Sequence, residues 1–159
     1  MADQTADAGQ PGPAIQDFYP DDLAVCYGCG RLNAEGMHVR TYWDGTHGRA
    51  TFQPKPFHTA IKGVVYGGLL ASIVDCHAIG TGAAALYAAQ GRELGSQPQL
   101  RCVTAKLEIE YLAPTPIDAT LTLVAWPLEV GRRSVVVAAE VRAGDLVTVT
   151  GKAVGVSLS

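Results

Sequence analysis

The sequence predicts an α+β domain in which a curved antiparallel sheet wraps one long central helix. Three observations carry this. Residues 67–89 form an apolar run with no polar face, and a helix of that kind must be enclosed on nearly all sides. Residues 103–111 alternate with period two, as a half-exposed strand does. The remaining strand-like segments make only one sheet, in the order β-β-α-β-β-β-β, so that sheet has to curl around the helix.

Taken along the chain, the opening stretch MADQTADAGQPGPA is acidic and lacks the basic-then-apolar pattern of a signal peptide. It reads as a flexible tail, residues 1–24, on a cytoplasmic protein, with one domain over residues 25–159. Cys26-Tyr27-Gly28-Cys29-Gly30, with Asn33 and Gly36, is rich in residues that tolerate turn geometry. Short β-prone runs at 39–43 and 49–52 flank Asp44-Gly45, a common hairpin pair, and Pro54 and Pro56 end the second run. The loop 57–65 leads into the helix at 67–89, which Gly91 and Gly95 stop.

In the following strand Val103, Ala105, Leu107, Ile109 and Tyr111 are expected on one face, with Thr104, Lys106, Glu108 and Glu110 on the other. Pro114-Thr115-Pro116 breaks it. Three more strands are expected at 119–126, 134–142 and 146–157, separated by turns at Gly131 and Ala143-Gly144-Asp145.

Composition narrows the function. With 159 residues and 48% hydrophobic content the chain fits one domain with a real core. A net charge of -3 argues against nucleic-acid binding, which draws on a basic surface. The 67–89 run is long enough to cross a bilayer, which takes about 20 residues. It holds Asp75, His77 and several glycines and lacks basic flanks, so a core helix and no membrane partner are expected. Four cysteines are too few and too dispersed for a disulfide framework, and free thiols are expected. Cys26 and Cys29 have the spacing of half a zinc site, but no second Cys/His pair follows at a suitable distance, so no metal and no cofactor are expected. Cys76 reads as an inert thiol.

The candidate chemistry lies on the helix. Gly67 and Gly68 let another group approach its start, where the first N–H groups lack partners and the dipole favours negative charge. Asp75 sits among Ile73, Val74, Ala78 and Ile79, where a carboxylate is costly without a task. Gly80, Gly82 and Ala83-Ala84-Ala85 keep the second half of the helix thin, either to leave room for a ligand or to pack closely on the sheet. His77 is about 200° around the helix from Asp75 and reads as structural.

Four segments then resemble a known family: Cys26-Tyr27-Gly28-Cys29-Gly30 with Asn33 and Gly36; Gly63-Val64-Val65-Tyr66-Gly67-Gly68 through Asp75; Thr104 through Pro114; and Gly131-Arg132-Arg133. Over residues 25–157 the chain resembles the hotdog-fold thioesterases, specifically the PaaI-like acyl-CoA thioesterases. The resemblance implies a homodimer or dimer of dimers that hydrolyses an acyl-CoA thioester held at the helix start. It matches Gly67 to the oxyanion donor, Asp75 to the catalytic carboxylate and Thr104 to a supporting hydroxyl. Tyr66 stands where the family's motif has histidine.

Substrate contacts are expected from Tyr66, Gly68 and His58, and from Arg132 and Arg133 to coenzyme A phosphates. Solvated side chains are the plainer reading of His58 and the arginines. Eight residues at a rise of 1.5 Å put Gly67 and Asp75 about 12 Å apart. If both act, the site combines Gly67 of one subunit with Asp75 of another. The alternatives are a hotdog protein that binds acyl-CoA without hydrolysing it, and a structural dimer with no ligand.

Overall fold

The computed structural model describes residues 12–158. Among the described residues, six strands form one antiparallel sheet around a single long helix. The elements are β1 (Tyr42–Trp43), β2 (Gly48–Phe52), α1 (Gly67–Ala89), β3 (Cys102–Tyr111), β4 (Leu121–Val130), β5 (Ser134–Ala143) and β6 (Leu146–Ser157). Their order across the sheet is β1-β2-β4-β5-β6-β3, so β3, ten residues long, forms one edge.

The expected curling of the sheet is present. Inward residues of the central strands are Leu121, Leu123 and Ala125 on β4 and Val135, Val137, Ala139 and Val141 on β5, all buried against α1. Close approach relies on small residues. A Cβ on Gly82 would lie 2.6 Å from Val135 Cγ1, and one on Gly151 would lie 2.6 Å from Val74 Cγ1. Gly82 therefore serves sheet packing, which decides between the two readings of the thin half of the helix at that position.

Two expectations need correction. The tail expected through residue 24 lies outside the described residues at 1–11, but within 12–24 Ala14, Ile15, Gln16 and Ala24 are buried. Ile15–Phe18 form a short 3-10 helix, with Ala14 and Ile15 buried. The Ile15 N–H donates to the Thr41 carbonyl at 2.7 Å, and the Thr41 N–H donates to Gln16 Oε1 at 2.8 Å. Gly80 makes room for them: a Cβ there would meet Gln16 Nε2 at 3.1 Å. The residues expected to begin β1 pair elsewhere, Thr41 with this N-terminal segment and Val39 with the Gly28 carbonyl at 2.9 Å, so β1 is two residues long.

The second correction concerns β3. Thr104 pairs with Gly155 and Lys106 with Val154, which leaves Ala105 as the extra residue of a β-bulge. The bulge shifts the alternation by one. Thr104 opposite Gly155 and Leu107 opposite the buried Ala153 now share the helix-facing side with Ile109 and Tyr111. Ala105 leaves that face.

Candidate active site

Gly67 is the first residue of α1, after Tyr66 in an extended conformation with φ -60° and ψ 129°. The first intrahelical bonds run from Leu69 and Leu70 N–H to the Tyr66 carbonyl. The N–H groups of Gly67 and Gly68 have no acceptor among the described residues, as helix geometry dictates for first-turn donors. The Tyr111 hydroxyl donates to the Gly67 carbonyl at 2.7 Å, tying the end of β3 to the helix start. The ring of Tyr66 lies over Gly68, where a Cβ would come within 2.5–2.8 Å of ring atoms. Tyr111 is the site residue that sequence reading missed; it read only as an inward strand position, and nothing in the sequence signals its hydroxyl contact.

Two turns on, the Thr104 hydroxyl donates to Asp75 Oδ1 at 2.6 Å. The bulge makes this contact by turning Thr104 toward the helix. Asp75 is half-buried rather than enclosed, and belongs to a stripe at 67/68, 71/72 and 75/76 that is half-open along the first turns of α1. Both halves of the site thus open on the side of the helix flanked by edge strand β3. Along the helix they remain about 12 Å apart, so one thioester carbonyl cannot touch both within a single chain.

The other predicted contacts are more distant. The backbone carbonyl of His58 accepts from the Tyr66 N–H at 2.9 Å, and its Nδ1 accepts from the Lys55 N–H at 3.0 Å. Its ring packs on Phe52 and Phe57, and burial together with Lys55 lowers its pKa. His58 therefore shapes the loop before the helix. Arg132 and Arg133 are exposed in the β4–β5 turn, and an Arg133 guanidinium N–H donates to the Ser157 carbonyl at 3.2 Å. Ser157 pairs with Cys102, so the arginines lie toward the Thr104 end of β3, away from Gly67. A cleft of about 740 Å³ runs along the 53–63 loop and Ile117-Asp118, and no predicted site residue lines it.

His77 is structural, as its place on the helix suggested. It is fully buried, its Nδ1 lies 2.9 Å from Thr41 Oγ1, and burial lowers its pKa to about 3. The thiols are another matter. Cys26 and Cys29 read as half a site without a second half, yet the fold brings Cys76 to them.

The sequence pattern of the thioesterase superfamily matches residues 62–150, from the loop before α1 into β6. No curated protein matches the chain. Among solved structures it is similar to a thioesterase superfamily protein from Shewanella loihica, at 45% identity over 76% of this chain and 91% of that one, with a TM-score of 0.60. It is also similar to a conserved protein from Pseudomonas aeruginosa, at 25% identity over 87% of this chain and all of that one, with a TM-score of 0.63. A thioesterase from Haemophilus influenzae shares the fold at 14% identity, with a TM-score of 0.67 over 87% of each chain. A family pattern spanning more than half the sequence, on a sheet curled around a helix that begins Gly67-Gly68, establishes that this hotdog-fold chain belongs to the thioesterase superfamily.

Proposed function

We propose that the chain hydrolyses an acyl-CoA thioester at a site shared by two subunits. Superfamily membership supports thioester hydrolysis in general. The observation that carries the finer reading is the pair of unpartnered N–H groups at Gly67 and Gly68 together with a Thr104-held carboxylate on the same open face. The amides receive the thioester carbonyl oxygen as it gains negative charge, a contribution of about 3–4 kcal/mol per donor in comparable sites. Asp75 takes a proton from water as its oxygen bonds to the carbonyl carbon. The carbon–sulphur bond then breaks, coenzyme A leaves as a thiolate that takes up a proton, and the acid is released. Thr104 fixes the carboxylate's orientation.

The reading requires a second copy of the chain. Antiparallel pairing of two α1 helices along their open stripes places Gly67 of one beside Asp75 of the other. Edge strand β3 supports such pairing, since it offers a ten-residue row of free backbone groups, with Val103, Tyr111 and Leu112 exposed on or beside it.

Complementation tests this directly. Gly67→Pro removes one donor at a position where helices accept proline, and Asp75→Asn removes the base. Each variant alone is expected to be nearly inactive. Mixed and reassembled, they should recover about a quarter of wild-type activity, because half of the two-fold dimers are mixed and each carries one intact site. No recovery from folded, exchanging dimers would refute the shared site.

A second reading is favoured by Tyr66, whose ring covers Gly68 in place of the motif's histidine: acyl-CoA binding without turnover. Calorimetric binding without hydrolysis across short, long and aromatic acyl-CoAs would select it.

A further inference from the structure

The thiol cluster is separate from the Gly67–Asp75 chemistry. Cys26 and Cys29 come from the turn that opens the domain, and Cys76 from α1, fifty residues later. Their sulphurs all lie within 4.8 Å of one another, Cys26 Sγ is 3.8 Å from Cys76 Sγ, and none forms a disulfide. We propose that Cys26, Cys29 and Cys76 bind one zinc ion, with water or a small external ligand completing a tetrahedron, and that this ion staples the turn onto the central helix.

The dimensions fit. Zinc–sulphur bonds of about 2.3 Å at tetrahedral angles hold sulphurs about 3.8 Å apart, the Cys26–Cys76 separation. The widest separation the cluster allows needs to close by only about 1 Å.

The turn is shaped for thiolates. The Gly30 N–H closes it on the Cys26 carbonyl at 2.8 Å, and a Cβ on Gly28 would collide with Cys76 Sγ, so glycine lets the loop sit directly on the helix thiol. Cys26 Sγ and Cys76 Sγ share one S–H contact at 3.8 Å, in which either sulphur can be the donor. A zinc ion replaces the shared proton: as each zinc–sulphur bond forms, any proton left on that thiol passes to solvent. Three soft anionic ligands select zinc over magnesium or calcium, which take oxygen.

The test uses the full chain, reduced and stripped of metal, titrated with zinc against a chromophoric chelator and separately with cobalt(II). One zinc per chain is expected, and cobalt should give the sulphur-to-metal charge-transfer absorption of a thiolate site. Cys26→Ser, Cys29→Ser and Cys76→Ser should each weaken zinc binding by about 100-fold or more and reduce the charge-transfer band. Cys102→Ser, outside the cluster, should leave both unchanged. Equal zinc affinity in Cys76→Ser and wild type would overturn the site, as would a reduced wild-type chain with no cobalt charge transfer. Loss of two hydrogens from the unreduced chain, with no metal uptake after reduction, would assign Cys26 and Cys76 to a disulfide and also overturn it. None of these readouts depends on turnover.

Discussion

The two halves of α1 are both apolar in sequence and have opposite surroundings. From Gly67 to Cys76 a stripe of the helix is half-open, whereas every residue from His77 to Tyr87 is buried. Asp75 and His77, two residues apart, fall on either side of that division. Asp75 meets a hydroxyl at the open face and His77 meets one inside the core. Apolar neighbours along the chain therefore did not decide the environment of either group; the extent of sheet coverage did.

The largest expected effect is on the sealed side. Burial holds His77 at about 3, below its ordinary 6.5, so the unfolded chain takes up a proton first as pH falls. Stability is full above about pH 6.5 and is lost on descending toward pH 3, by about 5 kcal/mol in all. Urea unfolding across this range measures it, and His77→Gln should remove that acid-dependent part while lowering stability at neutral pH. If His77→Gln keeps the same acid slope, His77 is not the sealed group described.

On the open side, Asp75→Asn should lower turnover by roughly 100-fold or more, about 3 kcal/mol in the barrier, with the fold retained. Wild-type turnover in that variant would place the base elsewhere. Thr104→Val keeps the side-chain shape and removes the hydroxyl, and about a tenfold loss in turnover is expected, near 1.4 kcal/mol. Melting should barely change, and a large drop in melting temperature would make the pair structural instead. The smallest effect returns to the sealed half. Gly82→Ala gains about 1 kcal/mol of helix propensity but overpacks Val135 at a cost of about 1–3 kcal/mol. A net loss of about 1 kcal/mol with unchanged turnover would separate packing from catalysis.

The helix was legible because a long apolar run without a polar face has to be enclosed, and the later strands because turn residues bound their β-prone runs. The observed helix, Gly67–Ala89, and last strand, Leu146–Ser157, coincide with the ranges read from sequence. Asp75 and Thr104 stood out by residue type and by family resemblance, and the structure brings them into contact. The N-terminal packing was not legible. Ala14 and Ile15 follow a Pro/Gly-rich stretch with no periodic pattern, and the segment's close approach at Gln16 depends on Gly80, far along the chain. The direction of Thr104 was hidden for a different reason. A one-residue bulge leaves no mark on an alternating pattern and reverses which face the residues before it occupy. Cys76 escaped notice as a partner of Cys26 and Cys29 because spacing rules look for pairs in sequence, and this third thiol arrives on a helix.

The bond from Tyr111 to the Gly67 carbonyl has an electronic side as well. That carbonyl and the Gly68 N–H belong to one planar amide, in which they point in opposite directions. Fixing the oxygen therefore fixes the orientation of the hydrogen. A phenol bound to the oxygen also draws electron density through the amide resonance, leaving the N–H more positive, a strengthening of about 10–30% in condensed-phase estimates of linked bonds. The edge strand thus reaches the helix start as an inductive aid as well as a brace. At the proposed site, Tyr111 would thus act on a bound carbonyl without touching it, through the peptide group that joins the Gly67 oxygen to the Gly68 N–H.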